Sequence, residues 1–200
     1  MQAHVQKTIL ITGASDGIGL ATAEKLISLG HNVLLHGRNP DKLQKVVDTL
    51  KPVNNEQKIE TYIADLSNMQ AVQSLAKEVA KNHDSLDVLI NNAGILKTAN
   101  TITDDGLDIR FAVNTFAPIL LTRELLPLLS HNTSRVISLS SAAQAPVNLQ
   151  ALAGGVKLDD MGAYAQSKLA LTTWSQVVFE TSERFRSSFN CDQPRFIISQ

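Results

Sequence analysis

Tyr164 and Lys168 are the pair in this 200-residue chain whose types and spacing point most directly to chemistry. Four positions apart on a helix, they share a face, so an ammonium can stand beside a phenol. A free tyrosine holds its proton with a pKa of about 10, too tightly for easy exchange at neutral pH. A neighbouring cation stabilises the phenolate and loosens that proton. Such a phenol can protonate a carbonyl oxygen that is becoming an alkoxide, or deprotonate an alcohol. The same spacing also occurs in helices with no catalytic role, so context has to decide.

A second group binds rather than reacts. Thr12-Gly13-Ala14-Ser15-Asp16-Gly17-Ile18-Gly19 spaces its glycines as G-x-x-x-G-x-G. Glycine lets backbone approach a phosphate closely, and a helix N-terminus offers free N–H groups to it. A tight turn that merely packs helix on strand would use the same residues. Further on, His36-Gly37-Arg38-Asn39 holds no carboxylate. An acid there would accept the ribose hydroxyls of NAD, whereas the Arg38 guanidinium can pair with a 2′-phosphate, or simply be solvated.

These residues fall at the ends of regular elements. Residues 8–12 (TILIT) read as a strand buried on both faces, and Leu20, Ala23, Leu26 and Ile27 then repeat at helical spacing until Gly30. Further strands are expected at 33–36, 59–64, 88–90, 135–139 and 195–199. Helices are expected at 41–50, at 69–81 after a Ser67 or Asn68 cap, at 103–129 with a disturbance at Pro118, and at 163–184. Strand and helix in alternation predict one α/β domain over residues 1–200, a doubly wound parallel sheet of about six strands.

TGASDGIG, followed in order by Asn91-Asn92-Ala93-Gly94 and Tyr164-x-x-x-Lys168, resembles the short-chain dehydrogenase/reductase family over almost the whole chain. The resemblance implies an NADP-dependent oxidoreductase, with NADP(H) preferred over NAD(H) because of Arg38. Gly13, Ser15, Asp16, Gly17, Ile18 and Gly19 would then hold the pyrophosphate. Asp65 and Leu66 would lie against the adenine, although Asp65 serves equally as a helix cap. Asn91, Ala93 and Gly94 would line the adenosine side and steady the central sheet. Tyr164 becomes the acid/base and, with Lys168, a cofactor contact; Lys168 is the ribose ligand that tunes it, and Ser141 rather than Ser140 the group orienting the substrate oxygen. Asn114 would hold a relay water through its backbone and side chain. The 23-residue interval from Ser141 to Tyr164, with Thr103-x-Asp105-Gly106-x-Asp108-x-x-Phe111-x-Val113-Asn114, resembles the branch of retinol-dehydrogenase-like and WW-domain-oxidoreductase-like enzymes. The apolar stretch 142–163 suits either a pocket wall for a hydrophobic carbonyl or alcohol, or an ordinary packed loop.

Bulk properties narrow the classes. Hydrophobic residues at 44 % with 18 % charged exclude a disordered chain, and a net charge of −1 without a basic block argues against nucleic acid. His4, His31, His36, His83 and His131 are scattered without ligand spacing, so no metal is expected. Cys191 is the lone cysteine, and no segment is apolar and long enough for a membrane span, which together suggest a cytoplasmic setting. The apolar content of 103–129 and 163–184 permits a homodimer. Relative to the family pattern, the chain stops at Gln200 before the expected substrate-capping segment and last strand. The alternative reading is therefore a catalytically silent nucleotide-binding module acting through a partner.

Overall fold

A strand with apolar residues on both faces needs a covering layer on each side. β1 (Thr8–Ile11) sends Leu10 to one face of the sheet and Ile9 and Ile11 to the other. With β2 (Asn32–Gly37), β3 (Ile59–Ile63), β4 (Val88–Asn91), β5 (Arg135–Leu139) and β6 (Arg195–Ser199), it forms a parallel sheet in the order β3-β2-β1-β4-β5-β6. Leu34, Leu89 and Val136 join Leu10 beneath α3 (Met69–Asn82) and α5 (Ala117–Leu125). Val33, Leu35 and Ile90 pack on the opposite face against α1 (Gly17–Ser28) and α2 (Pro40–Thr49). The computed structural model describes residues 5–50, 52, 56–129, 134–189 and 195–199, with side chains described as far as Val178. His4, His131 and Cys191 lie outside them.

Strand order reverses between β1 and β4, which opens a crevice at the carboxyl edge of the sheet. The glycine turn leaves β1 at this edge, and Asn92 to Gly94 leave β4 beside it. Helix ends follow the expected chemistry. Asn39 caps α2 through Lys42 N, and Asn68, rather than Ser67, caps α3 through Ala71 N. Gly30, at φ 85°, turns the chain after α1.

The helix expected from residue 103 starts later. Thr103 N donates to Leu107 O, Ile102 bridges Asp108, and Gly106 takes a φ of 78°, so Thr103 to Asp108 is a tight loop. Asp108, not the Thr103-Asp104-Asp105 run, caps α4 (Ile109–Phe111). A π-helical segment, Ala112–Phe116, then leads into α5. Pro118 follows directly in a backbone that stays helical, and the widened π turn just before it is the disturbance expected where proline lacks its N–H. A short α6 (Leu149–Leu152), capped by Asn148, was not legible in the sequence. α7 (Asp160–Phe189) begins three residues before the expected start.

Candidate active site

The glycine turn is held open from two sides. Thr12 Oγ1 accepts N–H bonds from Asn92 and Ala93 at 3.0 and 3.1 Å, while Asn92 Nδ2 donates back to Thr12 O and Gly13 O. Gly13 takes a φ of 66°, and a Cβ there would press on Ala93 Cα at 2.9 Å. A Cβ on Gly19 would collide with Gly13 O and Asn92 Nδ2, so that glycine is needed for close packing. Gly17 differs: its φ of 53° demands glycine, yet nothing lies within 4 Å of an added Cβ. The space in front of Gly17, at the N-terminus of α1, is where an anion would sit.

On the other side stands His36, buried at the end of β2. Its Nδ1 accepts from Gly13 N at 3.3 Å, and its Nε2–H donates to Ala64 O at 3.1 Å. Burial pushes the imidazole down to about 4 from an ordinary 6.5, which keeps it neutral and leaves Nδ1 free to accept. Because the folded state resists this proton and the unfolded state does not, the unfolded chain binds more protons between pH 6.5 and about 4. Stability falls as pH drops through that window, by an amount of order 3 kcal/mol for this group alone. We expect denaturant midpoints to fall from pH 7 to 4.5 and the slope to flatten in His36→Gln. An equally steep loss in that variant would show that the ring is not responsible.

A cavity of about 650 Å³ lies over this turn. Gly13, Ser15, Asp16, Gly17, Ile18, Arg38, Asp65, Leu66, Ala93 and Gly94 line it, so most of the expected cofactor residues converge on one space. Arg38 is exposed there and has no ion pair among the described residues. Asp16 is paired with Lys42 at 2.9 Å, and that ammonium holds its carboxyl below the usual range. Asp65 does not cap α3; its Oδ1 accepts from Ser67 N and Ser67 Oγ. Two expected contacts are corrected. Asn91 lies off the cavity's lining; it ties β4 to α5 by donating to Thr122 Oγ1 at 3.1 Å, which accords with its other expected role of steadying the sheet. Gly19 supports the turn from behind and does not line the cavity.

The proton-transfer end adjoins the cavity at Gly94. A Cβ on Gly94 would stand 3.3 Å from Lys168 Nζ and 3.5 Å from Asn114 Oδ1, so the three groups meet at one point. Lys168 is 5 % exposed, donates to Leu139 O at 2.8 Å, and its Nζ lies 5.9 Å from the Tyr164 ring centre. Burial pushes its ammonium down to about 8, so the charge is retained at neutral pH. Ser141 is half-buried two residues beyond Leu139, its Oγ accepting from Ala143 N. Ser140 is committed elsewhere, to Thr172 Oγ1 at 2.6 Å and Gln144, which leaves Ser141 as the less committed hydroxyl. Asn114 stands beside Lys168 at Gly94, and its side chain is engaged with the neighbouring loop and with α7. Its amide bonds both Ile95 N and Ile95 O and donates to Ser167 Oγ at 2.9 Å, so the side chain works as a brace.

Sequence reasoning passed over His36, Lys42 and Asn92. Asn92 was within the quoted Asn91–Gly94 run, and only the end of β4 after Asn91 reveals which asparagine faces the turn. His36 shows a weak signal, a polar residue closing an apolar run. No group of three or more His, Cys, Asp or Glu able to hold a metal occurs among the described residues, and no helix among them is long and apolar enough to cross a membrane.

A parallel sheet with this order, a glycine turn at its switch point and a Tyr–Lys pair on the adjoining helix together define a dinucleotide-dependent dehydrogenase architecture. A family model described as short chain dehydrogenase matches residues 7–194. The chain belongs to the short-chain dehydrogenase family, in its retinol-dehydrogenase-like branch. It is 34 % identical over 176 residues to human polyprenol dehydrogenase, covering 84 % of this chain and 53 % of that protein. It is 31 % identical over 193 residues to human retinol dehydrogenase 13, covering 91 % and 55 %. The chain thus spans about half the length of these curated relatives. Among solved structures, a metagenomic short-chain oxidoreductase in complex with NADP superposes with a TM-score of 0.74 at 30 % identity, covering 98 % of this chain and 82 % of that one. A Burkholderia phymatum short chain dehydrogenase/reductase in complex with NAD gives 0.71 at 25 % identity, covering 100 % and 66 %.

Proposed function

We propose that this chain is an oxidoreductase that moves a hydride between NADP(H) and a carbonyl or alcohol, its substrate small or apolar. The observation that carries this reading is the buried Lys168 ammonium beside the Tyr164 ring, at the Gly94 end of the glycine-turn cavity. The residues present fit a dinucleotide: an open cradle before Gly17, a cavity of about 650 Å³ and an unpaired Arg38 at its rim. When bound, the nicotinamide supplies or accepts the hydride. The chain's own groups do the rest. Tyr164 Oη gives its proton to the substrate oxygen during reduction and takes it back during oxidation. Lys168 places a positive charge beside that phenol, Ser141 Oγ donates to the substrate oxygen, and Asn114 braces the loop that Gly94 belongs to.

Two relatives are named for polyprenol and retinol, which supports an apolar substrate for this chain too. The family match and the intact Ser141, Tyr164 and Lys168 favour an enzyme over the silent module. Titration with NADPH, followed by a screen of short and long aldehydes and ketones, tests this. Binding with consumption of NADPH is expected, and binding without consumption would favour the module.

Solved neighbours carry both NADP and NAD, so the preference rests on Arg38. A charge-assisted phosphate contact contributes about 1.5–3 kcal/mol, or about 10- to 100-fold. Arg38→Ala is expected to weaken NADPH by that factor and leave NADH little changed. Equal catalytic efficiency with both cofactors in the unmutated chain would refute the preference.

A further inference from the structure

Arg110 is 1 % exposed, charged, and takes no part in the chemistry described so far. A buried guanidinium is costly unless its donors are matched, and here they are. Nε donates to Asp108 Oδ1 at 2.8 Å and Nη2 to Asp108 Oδ2 at 2.6 Å, a two-pronged grip on one carboxylate. Nη1 reaches the Asp160 carboxylate, and Leu96 O at 3.5 Å. Asp108 lies on Arg110's own loop, so only Asp160 and Leu96 tie it to other segments.

Those two segments carry the site. Asp160 is the first residue of α7, and Tyr164 lies one turn further along the same face. Leu96 follows Ile95, whose backbone Asn114 clamps and which lines the cofactor cavity. The helix running through Arg110 and the π-helical segment therefore meets α7 at two levels. At one level Arg110 holds Asp160. At the other, Asn114 donates to Ser167 Oγ, which donates to Tyr164 O at 2.7 Å, while Thr115 Oγ1 donates to Ser167 O. The acids at the start of α7 divide the work: Asp159 Oδ1 caps the helix at Gly162 N, which leaves Asp160 to Arg110.

We propose that Arg110 is a positioning residue, which through Asp160 and Leu96 fixes the first turn of α7 against the cavity wall and so sets where the Tyr164 phenol stands. The proposal rests on the functional reading above, and its test separates the two. Asp160→Asn is the informative variant: Asp160 is partly exposed, and Arg110 keeps its grip on Asp108, so the fold is retained. The chain has two tyrosines, so fluorotyrosine labelling gives two fluorine NMR lines, assigned with Tyr62→Phe. Asp160→Asn is expected to shift or broaden the Tyr164 line while the Tyr62 line stays. At saturating NADPH, kcat is expected to drop about 30-fold, the scale of a misplaced reacting group, with the NADPH dissociation constant unchanged. Arg110→Lys, which keeps the charge but loses the fork, should move the same line in the same direction. An unmoved Tyr164 line in both variants overturns the proposal, as does a parallel change of both lines, the mark of a general loss of structure. A moved Tyr164 line in a chain that never consumes NADPH leaves the positioning role standing and overturns the enzymatic reading instead.

Discussion

Tyr164→Phe is expected to lower turnover by at least about 10³-fold, within the range that a general acid/base contributes. The substitution removes one hydroxyl from a half-buried ring and leaves its packing in place. The cofactor cavity is lined by other residues, so NADPH affinity should stay within about threefold, under 1 kcal/mol. The expected signature is thus a loss in kcat with binding preserved, read by steady-state rates beside a fluorescence titration. Full turnover in the variant would remove the phenol from the mechanism. Loss of NADPH binding would instead make Tyr164 a structural support of the cavity.

The second large effect runs in opposite directions for activity and stability. Lys168→Met is expected to abolish turnover while making the folded chain more stable at pH 7. The ammonium is buried, and burial brings it down to about 8 from 10.5. Below pH 8 both folded and unfolded states hold the proton, and the folded state bears the full cost of a desolvated charge. Between pH 8 and 10.5 the folded state releases the proton first, so the unfolded state binds more protons and stability rises with pH. That cost is of order 3 kcal/mol at neutral pH. Methionine avoids it but leaves Leu139 O without its donor, which costs about 1–3 kcal/mol. A net gain of up to about 2 kcal/mol at pH 7, fading or reversing by pH 10, is the expected outcome in urea denaturation. A destabilised variant at pH 7 would mean that the charge is better solvated than its burial implies. The gain is the ordinary trade of a functional site, where a group is kept for its chemistry against the preference of the fold.

How far the sequence foretold these features depends on the range over which each is determined. β5 and β6 fall where the apolar runs put them, because a strand's extent is written in consecutive residues. The glycine turn and the Tyr164–Lys168 pair are local motifs, and the structure gives each its expected neighbourhood. The start of α4 was misplaced because Thr103-Asp104-Asp105 looks like a cap until Gly106 adopts a left-handed conformation and folds the chain back. His36 and Arg110 stayed hidden for another reason. Their partners lie 23 residues away at Gly13 and 50 residues away at Asp160, and no periodicity links positions that far apart. Asn114 shows both sides: its place was legible, but its work as a brace needed Ile95 and Ser167 in view.

Gly94 lines the space for the dinucleotide, and a methyl group projecting from it would meet the Lys168 ammonium at 3.3 Å and the Asn114 amide oxygen at 3.5 Å. The bareness of this one residue is what lets the lysine stand so near the cofactor's place. Alanine here would displace the ammonium by a few tenths of an ångström, so the chain would keep its grip on the nucleotide while losing the alignment that makes the grip useful.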